Sequence, residues 1–157
     1  GQIIVGGNAH VGNKFPSDQG DCGWITHAFA KKLVELGLRG AFGIDVQVDP
    51  AALAGYMIEP NLRINGATAP LLLARRLGQP GMYFRFAEVD APLEDVLNRL
   101  REGGFEYDPK TREGLVALVW GLHQEDKTIG FVAFGEQPEI LYEQALRYLD
   151  AEPASRH

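Results

Sequence analysis

Oxygen-bearing side chains recur at close spacing in two adjacent predicted strands. Glu59 and Asn61 follow the apolar run Tyr56-Met57-Ile58, which predicts a buried strand. Because side chains alternate between the two faces of a strand, Glu59 and Asn61 are expected to point the same way. Asp45, in a strand predicted over residues 43–49, faces the same place if the two strands pair. Such oxygens at the edge of a buried sheet are the ligands that Mg²⁺ takes, together with waters and substrate phosphates.

A guanidinium and a turn of small residues follow these oxygen ligands directly. Arg63 comes two residues after Asn61, and residues 65–68 have the composition of a turn. A guanidinium and exposed backbone N–H groups beside a metal are what a phosphate or a developing oxyanion needs. The competing interpretation makes Asp45 a turn acid, Glu59 a surface carboxylate and Arg63 their salt-bridge partner. The clustering favours a functional site, because a buried carboxylate costs several kcal/mol unless it is paired or bound to a metal.

The two strands and the residues after them resemble the C-terminal lobe of ATP-grasp ligases. The resemblance rests on Gly43-Ile44-Asp45 and on Ile58-Glu59-Pro60-Asn61-Leu62-Arg63, and it spans roughly residues 38–77. It implies that an acid on the first strand and a Glu-x-Asn pair on the second bind the magnesium ions of ATP. The metal ligands implied in this way are Asp45, Glu59 and Asn61.

The same resemblance implies roles for the other groups. It places Arg63 near the transferred phosphoryl group as the catalytic residue, and it gives Glu59 a contact with the nucleotide as well as the metal. Lys14 is implied to contact a phosphate as a point charge, from a glycine-, asparagine- and proline-rich stretch over residues 6–20 that predicts a loop. The alternative for Lys14 is a solvated lysine of an exposed loop. The residues implied to hold the carboxylate substrate are Asn65, Gly66 and Thr68.

The remaining pattern divides the chain into two units of an α+β protein. Residues 1–79 are predicted to form the C-terminal lobe of an ATP-grasp fold, an antiparallel sheet with helices. Residues 80–150 are predicted to form a small α+β domain, and residues 151–157 a frayed tail. Apolar periodicity and breakers predict helices over 21–37, 70–77, 91–102 and 138–149, and strands over 2–5, 43–49, 55–60, 82–89, 115–122 and 128–134.

Three residues carry specific expectations about these helices. Gly37 is expected to end the first helix, because glycine accepts the left-handed conformation of a helix C-terminus. Thr68 is expected to cap the helix over residues 70–77, and Ile140 is expected to face inward from the last helix.

The second unit carries a resemblance of its own. Segments 104–108, 112–116 and 128–131, with the closing helix at Leu141-Tyr142, look like the C-terminal extension of the pheganomycin-type peptide ligases. That branch of the ATP-grasp enzymes joins amino acids or peptides by amide bonds. The resemblance therefore implies a peptide or amino-acid ligase as the parent of this chain.

Composition excludes several other classes of function. The chain has 157 residues and a formal net charge of -6, with scattered Lys and Arg, so nothing indicates binding to nucleic acid. No apolar run approaches the length of a membrane span, so no membrane partner is expected. The single cysteine, Cys22, excludes an internal disulfide framework, and a reduced cytoplasmic protein is the expectation.

The sequence therefore predicts ATP-dependent carboxylate–amine ligation through an acylphosphate, with ATP and Mg²⁺ as cofactors. Its partners are a small-molecule carboxylate, a small-molecule amine and an upstream N-terminal half of the ligase that supplies the adenine pocket and is expected to lie outside this chain. A homo-oligomer is left open beside a monomer. The alternative function is a non-catalytic ligand-binding or interaction module derived from an ATP-grasp half.

Overall fold

A computed structural model of the chain describes residues 2–6, 9–15, 23–49, 54–119 and 127–151. The strands in these ranges are β1 (Gln2–Gly6), β2 (Ala9–Phe15), β3 (Gly43–Asp49), β4 (Ala54–Asn61), β5 (Met82–Glu88), β6 (Gly114–Val119) and β7 (Thr128–Phe134). The helices are α1 (Gly23–Glu35), α2 (Thr68–Arg76), α3 (Leu93–Glu102) and α4 (Pro138–Asp150).

Five strands form one antiparallel sheet in the order β1-β2-β5-β7-β6. The predicted loop over residues 6–20 is wrong for residues 9–15, which form β2 and pair with β1 on one side and β5 on the other. Pairing on both sides satisfies the backbone N–H and C=O groups of β2, and this outweighs the weak strand preference of Gly12 and Asn13. Gly6, the first residue of that predicted loop, is the last residue of β1. The remaining loop residues, 7–8 and 16–20, lie outside the described residues.

One face of the five-stranded sheet is covered by α3 and α4. Alternate side chains of β5, β6 and β7 meet the apolar sides of these helices, as the two-residue period of a strand requires. Tyr142 of α4 is fully buried here, and its ring stands edge-on to that of Tyr83 with the centroids 5.2 Å apart. The buried residues of this layer are Tyr83, Val89, Val96, Leu100, Leu115, Ile129, Phe131, Ala133, Tyr142, Ala145 and Leu149.

The opposite face of the sheet is covered by α2. Ala74 of α2 is buried against the other set of alternate side chains from β5 and β7, which are Met82, Phe84, Val132 and Phe134. The segment after α2 is fixed by Gln79, whose Nε2 donates to the Arg112 carbonyl oxygen at 2.8 Å and to the Tyr107 hydroxyl oxygen at 3.0 Å. The helix is therefore the third layer of a helix–sheet–helix arrangement.

β3 and β4 form a separate two-stranded antiparallel sheet, which we call the ribbon. α1 precedes the ribbon and contacts β4. Gly37 follows α1 with a φ of 97°, and its N–H donates to the Val34 carbonyl oxygen while the Leu38 N–H donates to the Leu33 carbonyl oxygen. These bonds satisfy the last carbonyls of the helix, so the predicted role of Gly37 is confirmed.

Helices packed with antiparallel sheets make this an α+β protein, as the sequence predicts. The division into two units at residues 79 and 80 stays a prediction. β2, from the predicted first unit, pairs with β5 of the predicted second unit, so the two ranges share one sheet. Within the described part of the chain, no helix is both long enough and apolar enough to cross a membrane.

α4 corrects one expectation about the core. Ile140 is 53% exposed, so its predicted inward orientation is wrong. The buried stripe of the helix runs through Tyr142, Ala145 and Leu149, a spacing of i, i+3 and i+7 that places Ile140 on the other side. A pattern of aliphatic residues does not predict Tyr142 as a core residue, because its side chain is aromatic and carries a hydroxyl.

Ile129 and Ile140 give a matched test of this burial. Ile129→Val lowers the free energy of unfolding by about 0.5–1.5 kcal/mol, because Ile129 is fully buried and the lost methylene leaves a cavity. Ile140→Val changes the free energy of unfolding by less than about 0.5 kcal/mol, as for most surface substitutions. Urea unfolding at an unchanged m-value measures both. Equal losses in the two variants would contradict the placement of Ile140 on the surface.

The buried phenol of Tyr142 predicts a pH dependence of stability. Burial raises the pKa of Tyr142 well above its usual range, although the nearby Arg85 charge acts in the lowering direction. A group whose pKa is raised on folding stabilises the protein fully below its unfolded pKa, here about 10, and this contribution is lost as the pH rises beyond that value. We expect the free energy of unfolding to fall above about pH 10 and Tyr142→Phe to flatten the fall.

The control for this prediction is the same substitution at Tyr148, which is 37% exposed on α4. Tyr148→Phe keeps the alkaline slope of the wild-type protein in the same urea titrations. A wild-type slope in Tyr142→Phe would show that the alkaline loss of stability has another origin.

Candidate functional site

The ribbon brings the three predicted metal ligands to one face. Asp45 of β3 lies opposite Glu59 of β4, and Gly43 lies opposite Asn61. Directly opposed residues of an antiparallel pair project from the same face, and so do residues two apart on one strand. Asp45, Glu59 and Asn61 therefore share a face, as their spacing predicts, while their role as ligands stays a prediction.

A hydrogen bond joins two of these side chains. Asn61 Nδ2 donates to Asp45 Oδ2 at 3.2 Å, in a partly buried position. The bond uses the donor side of the amide, so Asn61 Oδ1 and the second Asp45 oxygen keep their acceptor capacity. With the carboxylate of Glu59, the donor set is entirely hard oxygen and fits Mg²⁺. Across the described residues, no three side chains of the His, Cys, Asp and Glu types gather as a metal site, so this set depends on the Asn61 amide.

The ribbon has an irregularity beside these ligands. The register shifts between Asp45 and Val46, because Val46 pairs with Met57 and leaves Ile58 as an extra residue on β4. Such a bulge bends the strand and changes the direction of its side chains, and bulges are frequent next to functional sites. Here it separates the ligand-bearing end of the ribbon from the regular pairing at residues 46–49.

The predicted burial of β4 is wrong. Tyr56, Met57 and Ile58 are all exposed, with Ile58 at 61%, and Glu59 is exposed as well. A two-stranded sheet has two faces to cover, and α1 is the helix that contacts β4. Asp45 and Asn61 are only partly buried. The free-energy cost of burying carboxylates therefore gives no support for a metal, and the case for one rests on their convergence.

The predicted substrate turn is held by its own side chains. Asn65 Oδ1 accepts hydrogen bonds from the Ala67 N–H at 3.2 Å and from the Thr68 hydroxyl at 3.0 Å. In return, the Asn65 N–H donates to Thr68 Oγ1 at 3.1 Å. Thr68 is the first residue of α2 and Ala67 is its N-cap position, without a side-chain cap bond, so the expected capping by Thr68 is wrong. The hydroxyl closes the turn instead of capping the helix.

Gly43 lies in the candidate site, although the sequence pattern assigns it no role. A Cβ at this residue would collide with Asn65 Nδ2 and would lie 3.8 Å from Asn61 Cβ. The Asn65 amide therefore packs on the bare backbone at the start of β3, directly beside a predicted metal ligand. The sequence feature that could have indicated this contact is the glycine that begins the motif Gly43-Ile44-Asp45.

Arg63 lies between the ligands and the turn. Its side chain is exposed, and Nη1 donates to the Ile64 carbonyl oxygen at 3.4 Å. This long hydrogen bond leaves the guanidinium at the surface, five residues before the start of α2 in the sequence. A positive charge in this place suits an anion, because the helix N-terminus also favours negative charge.

Lys14 has a different position from the one expected. It belongs to β2 of the five-stranded sheet, opposite Tyr83, and its Nζ lies 3.3 Å from Glu139 Oε2 of α4. A second ion pair, Arg85 Nη1 to Glu143 Oε1 at 3.6 Å, lies one helical turn further along α4. A contact between Lys14 and a nucleotide stays a prediction, and these two pairs link the sheet to α4.

An exposed apolar surface adjoins the site. Its members come from β4 and from the segment that leads to α2, and they are Tyr56, Met57, Ile58, Leu62 and Ile64. We call these residues the apolar surface. Five exposed apolar side chains within nine residues of one strand and its extension, on both faces of the strand, leave this part of the chain uncovered within the described residues.

A segment in the second half of the chain matches a known family model. Residues 95–147 match the PGM1 C-terminal domain, a C-terminal domain of ATP-grasp-related proteins. The matched segment includes β6, β7 and most of α3 and α4, and it begins well after the ribbon. A search of curated proteins gave no match. This part of the chain is therefore similar to the C-terminal domain of a ligase-like protein.

The packing of Asn65 on Gly43 gives a stability prediction. Gly43→Ala lowers the free energy of unfolding by about 1–3 kcal/mol, because the new methyl group forces the Asn65 amide to move. That amide cannot swing away freely, since Ala67 and Thr68 hold its oxygen. In an Asn65→Ala background the cost of Gly43→Ala falls by at least about 0.5 kcal/mol.

Urea unfolding of the four proteins in this double-mutant cycle measures the coupling. The substitution Gly43→Ala alone also tests strand propensity, and the Asn65→Ala background separates that effect from the collision. Strictly additive free-energy changes would contradict the contact.

Proposed function

We propose that this chain is the C-terminal portion of an ATP-dependent ligase that joins a carboxylate to an amine. The single observation that carries the proposal is the convergence of Asp45, Glu59 and Asn61 on one face of the ribbon. In the proposed reaction a carboxylate oxygen attacks the γ-phosphorus of ATP, giving an acylphosphate and releasing ADP. The amine nitrogen then attacks the acyl carbon, loses a proton and expels inorganic phosphate.

The three oxygen ligands are proposed to hold Mg²⁺. The bound cation supplies charge neutralisation for the phosphates of ATP. The protein contributes a pre-formed arrangement, because the hydrogen bond from Asn61 to Asp45 fixes two of the side chains before any ligand binds. Glu59, which is exposed, is the ligand free to adjust its rotamer and also to contact the nucleotide.

Arg63 and the turn at residues 65–68 are proposed to hold the reacting groups. The guanidinium of Arg63 offers several donors at the surface, which suits charge on a phosphoryl group and on the tetrahedral intermediate. Gly66 and the start of α2 follow Arg63 within five residues, and their backbone N–H groups and helix dipole are proposed to receive the substrate carboxylate. Positioning and electrostatics are the main protein contributions to phosphoryl transfer.

A companion half is proposed to complete the site. The apolar surface and the exposed acid face leave the ribbon with little cover within the described residues. An upstream half that supplies the adenine pocket would bury that surface and supply the phosphate-contacting groups. The role given to Lys14 is part of this proposal and requires its release from Glu139.

The branch of the family is proposed from the second unit. The match of residues 95–147 to the PGM1 C-terminal domain supports a pheganomycin-type ligase, with amino acids or peptides as the substrates. The matched strand β7 contributes Val132 and Phe134 to the sheet face that α2 covers, so the matched segment helps to support the turn that is proposed to hold the carboxylate.

A second candidate function is favoured by the apolar surface itself. Exposed apolar residues on one strand are typical of a surface that binds another protein. In this candidate the chain is a non-catalytic interaction module, and the ribbon acids are surface residues. The two candidates differ in whether Mg²⁺ and ATP bind at the ribbon.

Calorimetry with ATP and Mg²⁺, on the full chain together with the upstream half, tests the ligase proposal. Glu59→Ala combined with Asn61→Ala reduces the affinity for ATP·Mg²⁺ by at least about tenfold, because two of the three ligand side chains are removed. Glu88→Ala combined with Asn98→Ala removes an exposed Glu and an exposed Asn from β5 and α3, and it leaves the affinity unchanged. Equal affinity in the Glu59, Asn61 variant and the wild-type protein would favour the interaction module.

A further inference from the structure

We propose that Asn65 is a positioning residue that sets the distance between the metal ligands and the substrate turn. The inference rests on the proposed function, because it assigns a role within that site. The Asn65 side chain is in contact with both parts. Its oxygen is bonded within the turn, and its nitrogen packs on Gly43 at the ligand-bearing end of the ribbon.

The turn side of this link is closed by hydrogen bonds. Asn65 and Thr68 exchange a reciprocal pair, at 3.1 Å from the Asn65 N–H to Thr68 Oγ1 and at 3.0 Å from the Thr68 hydroxyl to Asn65 Oδ1. The Thr68 N–H adds a bond to the Asn65 carbonyl oxygen at 3.0 Å. Because its side-chain oxygen is bonded within the turn and its nitrogen packs on Gly43, Asn65 is proposed to act on a substrate through the shape of the turn.

The ribbon side of the link reaches the metal ligands within two residues. Gly43 pairs with Asn61 in the register, and Asn61 donates to Asp45. A side chain at position 43 would keep the Asn65 amide away from this pair, whereas glycine lets it lie directly on the backbone. The position of the Asn65 amide is therefore tied to the position of Asn61.

The far end of α2 fixes the turn from the other direction. Ala74 is buried against the five-stranded sheet, and α2 runs from that contact back to Thr68. A turn held at Thr68 by a packed helix and at Gly43 by the ribbon has little freedom to change its distance from the ligands. Asn65 is the residue at which these two constraints meet.

Mn²⁺, a hard divalent cation detectable by electron paramagnetic resonance, tests the inference on the full chain together with the upstream half. Asn65→Ala and Thr68→Val weaken Mn²⁺ binding by about tenfold, although neither side chain is a proposed ligand, because orienting partners of metal ligands have effects of this size. Thr68→Ser keeps the hydroxyl and restores the affinity of the wild-type chain. Asn98→Ala, at an exposed asparagine of α3, is the neutral control. Circular dichroism confirms that each variant is folded, and Thr68→Val, which keeps the side-chain volume, serves if Asn65→Ala does not fold.

The outcomes separate this inference from the proposed function. Asp45→Asn abolishes Mn²⁺ binding if the ribbon holds the cation. The inference is supported if Asp45→Asn abolishes Mn²⁺ binding, Thr68→Val weakens it and Thr68→Ser keeps the wild-type affinity. Loss with Asp45→Asn and wild-type affinity in Asn65→Ala or Thr68→Val overturn the inference and leave the metal site standing. Wild-type affinity in Asp45→Asn, or no binding by the wild-type chain, overturns the metal site and the inference with it.

Discussion

The register of the ribbon is the constraint on which the candidate site depends. Asp45 meets Glu59, and Gly43 meets Asn61, only in this pairing. A slip of one residue would turn the β4 side chains to the opposite face. Asp45 of β3 would then be separated from Glu59 and Asn61 of β4. Two-stranded sheets specify their register weakly by themselves. Two features outside the backbone ladder reinforce it here, the bond from Asn61 to Asp45 and the packing of Asn65 on Gly43.

Much of the fold could be predicted because its elements have clear periods. β3, β7, α3 and α4 appear within a few residues of their predicted limits, since apolar alternation and helical stripes record burial on one side. β2 could not be predicted, because Gly12 and Asn13 are poor strand residues and the pairing comes from β1 and β5. The exposure of β4 could not be predicted either. An apolar run shows that a strand is suited to burial, and it does not show which partner covers it.

The candidate site likewise has one part that the sequence predicts and another that depends on tertiary contacts. The shared face of Asp45, Glu59 and Asn61 follows from a period of two, and sequence spacing alone captures it. The bonds between Asn65 and Thr68 depend on the path of the backbone through a turn, and the residue types alone fit substrate binding equally well. Lys14 shows the same limit, because its ion pair with Glu139 joins residues that are distant in sequence. Local pattern identifies which groups can do chemistry, and tertiary contacts decide which of them are already occupied.

α2 connects the part of the chain that holds the candidate site to the part that matches a known family. Its first residue closes the turn beside the ribbon, and Ala74 is buried among side chains of β5 and β7 in the five-stranded sheet. β7 belongs to the matched segment and β5 does not, so that segment forms part of the surface on which α2 packs. The N-terminal hairpin extends the same sheet through β5. A substitution in the sheet core is therefore expected to displace α2 and the turn more than the proposed metal ligands on the ribbon. The matched segment therefore helps to hold α2, and with it the turn of the candidate site, in place.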